Sequence, residues 1–309
     1  MPIDLVQRVA ARLASQIDPR EGGLGHAPKF PNPTALGLLL RSYYRSGEVD
    51  ELRPALLTLT KMALGGIYDQ LGGGFARYST DDKWLVPHFE KMLYDNGLLL
   101  RLYAQALVLL LAQGQDVLAA RYQRVIDETV GWLTRQMSGK DGGFYAALDA
   151  DSEGVEGKYY VWTYEEVEQL VGTKATELLT RCYDVIPGGN WHDPHGHGPA
   201  DASILHVIDQ PRDKEEDELL GQAMATLLTT RSRRIPPGTD DKILTAWNAL
   251  VVSGLATAGQ LLARPELIAL ARQTADFLLT RLRDSNGKLL RTYKDGEAKW
   301  AATLEDHAF

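Results

Sequence analysis

Several stretches of the chain place imidazole, carboxylate and aromatic groups at spacings that suit proton transfer. In GGGFARYSTDDKWLVPHFEKMLYDN, residues 72–96, His88 and Glu90 stand where the chain reads as entering a helix. Pro87 suits a first helical turn, where the helix dipole complements Glu90 and favours the neutral, base-competent form of His88. The same residues could equally cap a buried helix with a hydrogen-bonded His and Glu. Further along, Asp240, Asp241 and Lys242 precede an uncharged helix carrying Trp247 and Asn248, and Glu305, Asp306 and His307 repeat the arrangement at the last helix start. Carboxylates and imidazoles at successive helix N-termini would converge on one pocket. That is the geometry acid–base work on a sugar-sized substrate needs, with Trp84, Tyr160 and Trp247 as stacking platforms. Helix starts also attract Asp and Glu for structural reasons alone.

Two further clusters have competing readings. DADSEG, with Asp149, Asp151 and Glu153, opens like a calcium loop, but the glycine and bidentate glutamate of the twelve-residue register do not follow. An acidic hairpin tip or a cleft carboxylate cluster fits better. His192, Asp193, His195 and His197 could ligate zinc or nickel, although a Gly/Pro-rich loop does not preorganise them and a solvated loop is preferred. No metal or cofactor is called for. The lone Cys182 excludes an internal disulfide and a CxxC redox pair, so dithiol activity is not expected of this chain.

The elements that must position these groups are helical. Leu5, Val9, Leu13 and Ile17 recur at four-residue spacing in a first amphipathic helix, and 33–46 and 49–65 read as the second and third. Residues 89–112 are apolar almost all round, whereas 117–137 are one-sided; the contrast recurs at 243–262 and 266–283. This alternation implies inner helices sheathed by outer ones. Shorter helices are expected at 165–171, 176–183 and 214–234, the last ending in Arg231, Arg233 and Arg234 as cations that offset its dipole. Each one-sided helix is followed by a glycine turn: Gly22-Gly23-Leu24, Gly73-Gly74-Phe75, Gly142-Gly143-Phe144 and Asn286-Gly287-Lys288. Their spacings of 51, 69 and 145 suit loop-decorated helical hairpins. Residues 142–162 read as a hairpin with an acidic tip, and these turns should open on one face, where loops on a rigid scaffold carry function.

With 309 residues, 44% of them hydrophobic, the chain can bury a large core, and a single domain is expected. A net charge of -8 makes nucleic acid an unsuitable partner. Residues 243–263 carry no charge over 21 positions, but Thr245, Asn248, Ser253, Thr257 and Gln260 suit burial in protein better than lipid. No membrane is expected, and with no signal-peptide pattern the cytoplasm is the simplest compartment.

The segments HAPKFPNP, GGIYDQLGGGFARYSTDDKWLVPHFEKMLYDN, GGFYAALDADSEGVEGKYYVW, DDKILTAWNAL and LEDHAF resemble the ordered motifs of thioredoxin-domain-containing proteins related to the spermatogenesis-associated family. The resemblance implies an all-α (α/α)6 barrel, similar to N-acylglucosamine 2-epimerases, cellobiose epimerases and six-hairpin glycosidases, with short β-hairpins on one face. It also implies that the thioredoxin-like domain and the last helices of the barrel are missing, and that the HDPHGHG loop is a local expansion. Such an open barrel would be prone to self-association. Position 307 is His where Tyr would be expected, so a two-histidine mechanism on His88 and His307 does not follow. The expected acid–base groups are His88, Glu90, Asp151, Asp241 and Asp306. Lys29, Tyr78, Asp81, Trp84, Asp149, Tyr160, Lys242, Trp247, Asn248 and His307 are expected to contact a sugar-like ligand. Epimerisation and hydrolysis both remain open, as does a non-catalytic binding or scaffold role beside a linked or partner thioredoxin-like domain.

Overall fold

The computed structural model describes residues 3–192 and 200–309. The three-to-four-residue hydrophobic spacing produces α1 (Ile3–Ala14), α2 (Pro33–Ser46), α3 (Val49–Leu64), α4 (Leu93–Ala112) and α5 (Asp116–Trp132), the last continued by a π-turn at Leu133–Met137. A middle group follows: α6 (Tyr164–Val171), α7 (Thr173–Tyr183) and α8 (Lys214–Arg231). Then come α9 (Thr245–Leu261), α10 (Pro265–Arg281) and α11 (Leu304–Ala308).

Helix α4 is the centre of the packing, meeting α2, α5 and α9, while α9 in turn meets α10 and α11. The inner row is thus α2, α4, α9 and α11, with α1, α3, α5 and α10 outside, a mostly helical layout of the (α/α)6 toroid type. Inner helices α4 and α9 approach backbone to backbone because each is glycine at the crossing. A Cβ on Gly97 would lie 2.9 Å from the Val251 nitrogen, and one on Gly254 would be driven into the Gly97 carbonyl oxygen. α4 is long and apolar enough to cross a membrane, but 67% of its most apolar window is buried inside the protein. α9, expected to be buried all round, is not: Val251, Gly254, Leu255 and Ala258 are buried, while Leu250, Val252 and Thr257 on the other face are half-buried.

The four glycine turns are the clearest sign of repetition. Each closes with a single antiparallel bridge just after an outer helix: Ile17 with Leu24, Tyr68 with Phe75, Ser138 with Phe144, and Arg283 with Leu289. Gly73 shows why glycine is needed, since its φ is 76° and any Cβ would strike the backbone of Glu128 on α5. Between the third turn and α9, helices α6, α7 and α8 build a core of their own around Trp162, Leu179, Cys182, Tyr183 and Leu227.

Short antiparallel strands tie the turns together on one side. Lys91–Met92 pairs with Ala147–Leu148, which pairs with Thr239–Asp240, so the segments entering α4 and α9 share one small sheet. Tyr78–Ser79 pairs with Pro87–His88, and Asp151–Ser152 with Val155–Glu156 around a tip at Glu153-Gly154.

Two expectations are corrected here. Pro87 and His88 lie in a strand, and α4 begins only at Leu93. A fixed φ near that of a helix start also fits an edge strand, so Pro87 could not distinguish them. No helix dipole therefore acts on His88 from its own segment. Arg231 does end α8, but it is 1% exposed and its charge goes to a bidentate pair with Asp69 at 2.8 Å through both terminal nitrogens.

Candidate functional site

The pairing of Tyr78 with His88 sets the site. Their rings stack at 4.9 Å with 21° between planes, which fixes the imidazole face. The hairpin at 151–156 then delivers Glu156, whose Oε1 lies 2.7 Å from His88 Nδ1 and also accepts the Phe89 N–H at 3.3 Å. A carboxylate only accepts, so the hydrogen bond to Glu156 places a proton on Nδ1. Nε2 lies 3.8 Å from Glu90 Oε2, and that carboxylate is held by Arg77 Nη1 at 2.9 Å. Arg77 and Glu90 are also joined through their backbones, Arg77 N–H donating to Glu90 O at 2.8 Å. The imidazole is therefore oriented by one carboxylate and faced by another, which is the arrangement of an oriented general base. At the start of α4, Tyr94 meets Trp247 of α9 edge to face at 4.8 Å. Next to Tyr94, Asp95 is 7% exposed, and burial pushes its carboxyl up to about 7 against the nearby Arg77 charge.

Of the sequence-predicted groups, His88, Glu90 and Tyr78 come together here, and Trp247 reaches Tyr94. Asp151 is cross-strand from Glu156 but exposed. Others are committed elsewhere. Asp149 accepts the Ala150 N–H at 2.7 Å. Asp81 folds its own loop, accepting the N–H groups of Lys83, Leu85 and Val86. Trp84 is fully buried and donates from Nε1 to Glu21 O at 2.8 Å, so it offers no stacking face. Lys29, also fully buried, is fixed by Asp18 and Gly22 O beside the Trp84 ring. Asn248 clasps Phe144 through both backbone groups, and Asp306 completes the N-cap of α11 and takes the Ala246 N–H at 3.0 Å. Asp241 pairs with Lys294, and Lys242 with Asp240, both in solvent. His307 is exposed on α11, beside a groove lined by Leu290 and Trp300. Tyr160 is packed against Phe89 under the site rather than open to a ligand.

The acidic hairpin tip carries no calcium-loop geometry, because Glu153 pairs with Lys158 at 2.8 Å and Asp149 turns to backbone donors. Asp193, His195 and His197 lie outside the described residues, and His192 is exposed. Cys182 is buried, and burial pushes its thiol up, away from the reactive thiolate.

Beneath the site lies a group of residues that sequence reasoning missed. Lys91 Nζ donates to Asp69 Oδ2 and to Gly73 O, both at 2.8 Å, under the rings of Trp132 and Tyr160. Burial lowers the Lys91 ammonium to about 8, while the Arg231 and Lys91 charges overcome burial and hold the Asp69 carboxyl well below its ordinary range. Lys29, Asp18 and Gly22 make the same contact at the first turn that Lys91, Asp69 and Gly73 make at the second. The matching order of Asp, Gly and Lys after both helices was the signal available in the sequence. A cavity of about 30 Å³ adjoins Lys91, lined also by Gln70, Pro87, Phe89 and Tyr160.

No family model matches the chain. Its homologues are spermatogenesis-associated protein 20 of mouse, 36% identical over 98% of this chain and 42% of that protein, and of human, 37% identical with the same coverage. An uncharacterized protein of Caenorhabditis elegans is 30% identical over 99% of this chain and 46% of its own length. The chain thus spans less than half the length of the curated relatives it matches. Among solved structures, an unsaturated glucuronyl hydrolase specific for heparin aligns with a TM-score of 0.45 at 10% identity, covering 93% of this chain and 52% of its own. A sugar epimerase from a ruminal bacterium aligns with a TM-score of 0.39 at 12% identity over 99% of this chain and 96% of its own. These likenesses are at the level of fold and carry no argument about chemistry.

Proposed function

We propose that this homologue of spermatogenesis-associated protein 20 binds a carbohydrate-like polyol at the His88 cluster and uses His88 Nε2 as a base to remove a proton beside a carbonyl. The observation that carries the reading is the imidazole held by Glu156 at 2.7 Å with Glu90 3.8 Å from its other nitrogen, Nε2. The Glu156 carboxylate fixes the direction of the imidazole, and Arg77 holds the Glu90 carboxylate that faces it. Tyr94 and Trp247 supply aromatic surface of the kind that a ring-shaped hydroxylated ligand stacks on, with a polar edge for its hydroxyls. Thioredoxin-linked redox work would lie in a further domain and not in this site.

The test is a thermal-shift and calorimetric screen of mono- and disaccharides against wild type, His88→Ala and Glu156→Gln, followed by incubation of any binder in D2O. Binding by wild type, weakening in both variants and deuterium incorporation at the carbon next to the carbonyl would support the base role. Release of a reducing end without deuterium incorporation would replace proton abstraction with hydrolysis. A wild type that binds none of the sugars, in a form whose melting is cooperative, would overturn the polyol reading.

A further inference from the structure

We propose that Gln70 and Tyr160 together hold one internal water in the cavity beneath the strand that carries His88. The site is independent of the polyol reading. Pro87 and Phe89, which flank His88 in the chain, line this cavity, and successive side chains of an extended segment leave it on opposite faces. Gln70 is 1% exposed and lies in the second glycine turn. Its amide nitrogen donates to Ala63 O at 3.0 Å and to Gly65 O at 2.9 Å, which fixes the amide and leaves Oε1 as an acceptor. Among the described residues nothing donates to that oxygen. Tyr160, 7% exposed, is held by its ring: Phe89 stacks on it at 5.5 Å, and Lys91 Nζ and Arg231 Cζ lie over it, 5.0 and 5.5 Å from its centroid. Its hydroxyl has no partner among the described residues either. Native proteins leave few buried polar atoms unpaired, because taking an amide oxygen or a phenol out of water without replacing its hydrogen bond is unfavourable. Here two such atoms belong to residues that line the same cavity.

Size and charge select the ligand. The cavity gives a water's centre about 30 Å³ to occupy, more than the roughly 10–15 Å³ that one water needs and far too little for a sugar ring. Ile67, Ala76, Val161 and Ile204 complete its wall, each at most 4% exposed, so a molecule held there is cut off from bulk solvent. An ion of either sign is disfavoured. The Lys91 and Arg231 charges oppose a cation, while Gln70 Oε1, an acceptor, and the Asp69 carboxylate oppose an anion. A neutral molecule that both donates and accepts fits: it gives one proton to Gln70 Oε1 and accepts one from the Tyr160 hydroxyl. Lys91, on the same wall, gives one proton to Asp69 and one to Gly73 O and keeps a third. The water then has the three partners usual for an internal water. It joins the second glycine turn, at Gln70, to the chain entering α6, at Tyr160.

A high-resolution crystal structure of the wild-type chain tests the site directly. One density peak is expected within hydrogen-bond distance, about 2.5–3.2 Å, of both Gln70 Oε1 and Tyr160 Oη. The absence of a peak, or a peak that touches only one of the two atoms, overturns the bridge. Crystals soaked in bromide and in rubidium salts probe for an ion by anomalous scattering, and a signal from either at this position overturns the assignment to water. In solution, oxygen-17 relaxation dispersion counts the waters held for longer than the protein takes to tumble. Tyr160→Phe, which keeps the ring and removes the hydroxyl, should lower that count by one with cooperative melting retained. An unchanged count in the folded variant takes Tyr160 out of the site and overturns the proposal. Should the variant fail to fold, the wild-type peak decides alone.

Discussion

Asn96 does for Phe75 what Asn248 does for Phe144. Each amide oxygen accepts its phenylalanine's N–H at 2.7 Å, and each amide nitrogen donates to the same residue's carbonyl, at 3.0 and 2.9 Å. Each nitrogen also donates to the carbonyl four residues back on its own chain, Met92 or Leu244. An inner helix and the glycine turn of its repeat are thereby locked together without a strand. Asn96→Leu, which leaves buried backbone groups of Phe75 and Met92 unpaired, should destabilise the protein by about 3 kcal/mol or more, at about 1–3 kcal/mol for each unsatisfied group. Urea denaturation checks this, and a loss below about 1 kcal/mol would mean that the turn repairs itself.

Gly254 and Gly221 should respond in opposite directions to alanine. At Gly254 the added methyl meets the Gly97 carbonyl, so α9 must move away from α4, with an overpacking cost of about 1–3 kcal/mol. Gly221, on α8, has open space around it, and alanine there should stabilise by up to about 1 kcal/mol through helix propensity. Melting temperatures of the two variants provide the comparison, and equal shifts would remove the close crossing as the explanation.

Arg231→Lys is not conservative here. A single ammonium cannot reproduce the two parallel bonds to Asp69, which would keep Lys91 and the Leu71 and Gly72 N–H groups but lose the bidentate guanidinium. We expect a loss approaching the roughly 3–5 kcal/mol of a broken buried pair. Proteolysis should report it first within residues 159–231, because the middle helices depend on this anchor. Cleavage starting instead at α1 would point to a different weak spot.

Asp95 makes a stability prediction that does not depend on any ligand. Its folded carboxyl, at about 7, lies above the ordinary 3.8, so its contribution is fully present below pH 4 and is lost as pH rises through 7. Asp95→Asn removes that loss. The variant should match wild type near pH 4 and exceed it at pH 8 by up to about 4 kcal/mol, at about 1.4 kcal/mol for each tenfold change in proton affinity on folding. Denaturation at the two pH values tests it, and an advantage equal at both would assign the effect to packing.

What the sequence revealed was what local chemistry encodes. The apolar circumference of α4, the one-sided stripe of α5 and the glycine turns each follow from residues close together in the chain, so the helical layout could be read directly. The partners of those turns could not. Glu156 reaches His88 across 68 residues and Arg231 reaches Asp69 across 162, and in each case the residue looks ordinary where it stands: one on a hairpin, one at a basic helix end. Lys29, Trp84 and Asp81 err the other way. Their types suggest a cleft, but the fold uses them to hold a loop, a ring and a backbone turn in place. Asp95 gives no signal of its own, because an aspartate in the first turn of a helix usually needs no further account.

The two asparagine clasps differ in one respect, and it bears on the order in which the molecule assembles. Asn96 and Phe75 are 21 residues apart, whereas Asn248 and Phe144 are separated by 104 residues, with the whole of α6–α8 between them. Closing the longer loop costs about 1.4 kcal/mol more in chain entropy when the intervening segment is still flexible. The second turn should therefore close early, and the third should wait until α6–α8 have folded into a short, rigid bridge. The Phe75 and Phe144 amide protons report the two events separately. In pulse-labelled hydrogen exchange during refolding, Phe75 gains protection first, and Phe144 gains it together with the buried amides of α7 and α8; simultaneous protection of both would show the chain closing as one unit.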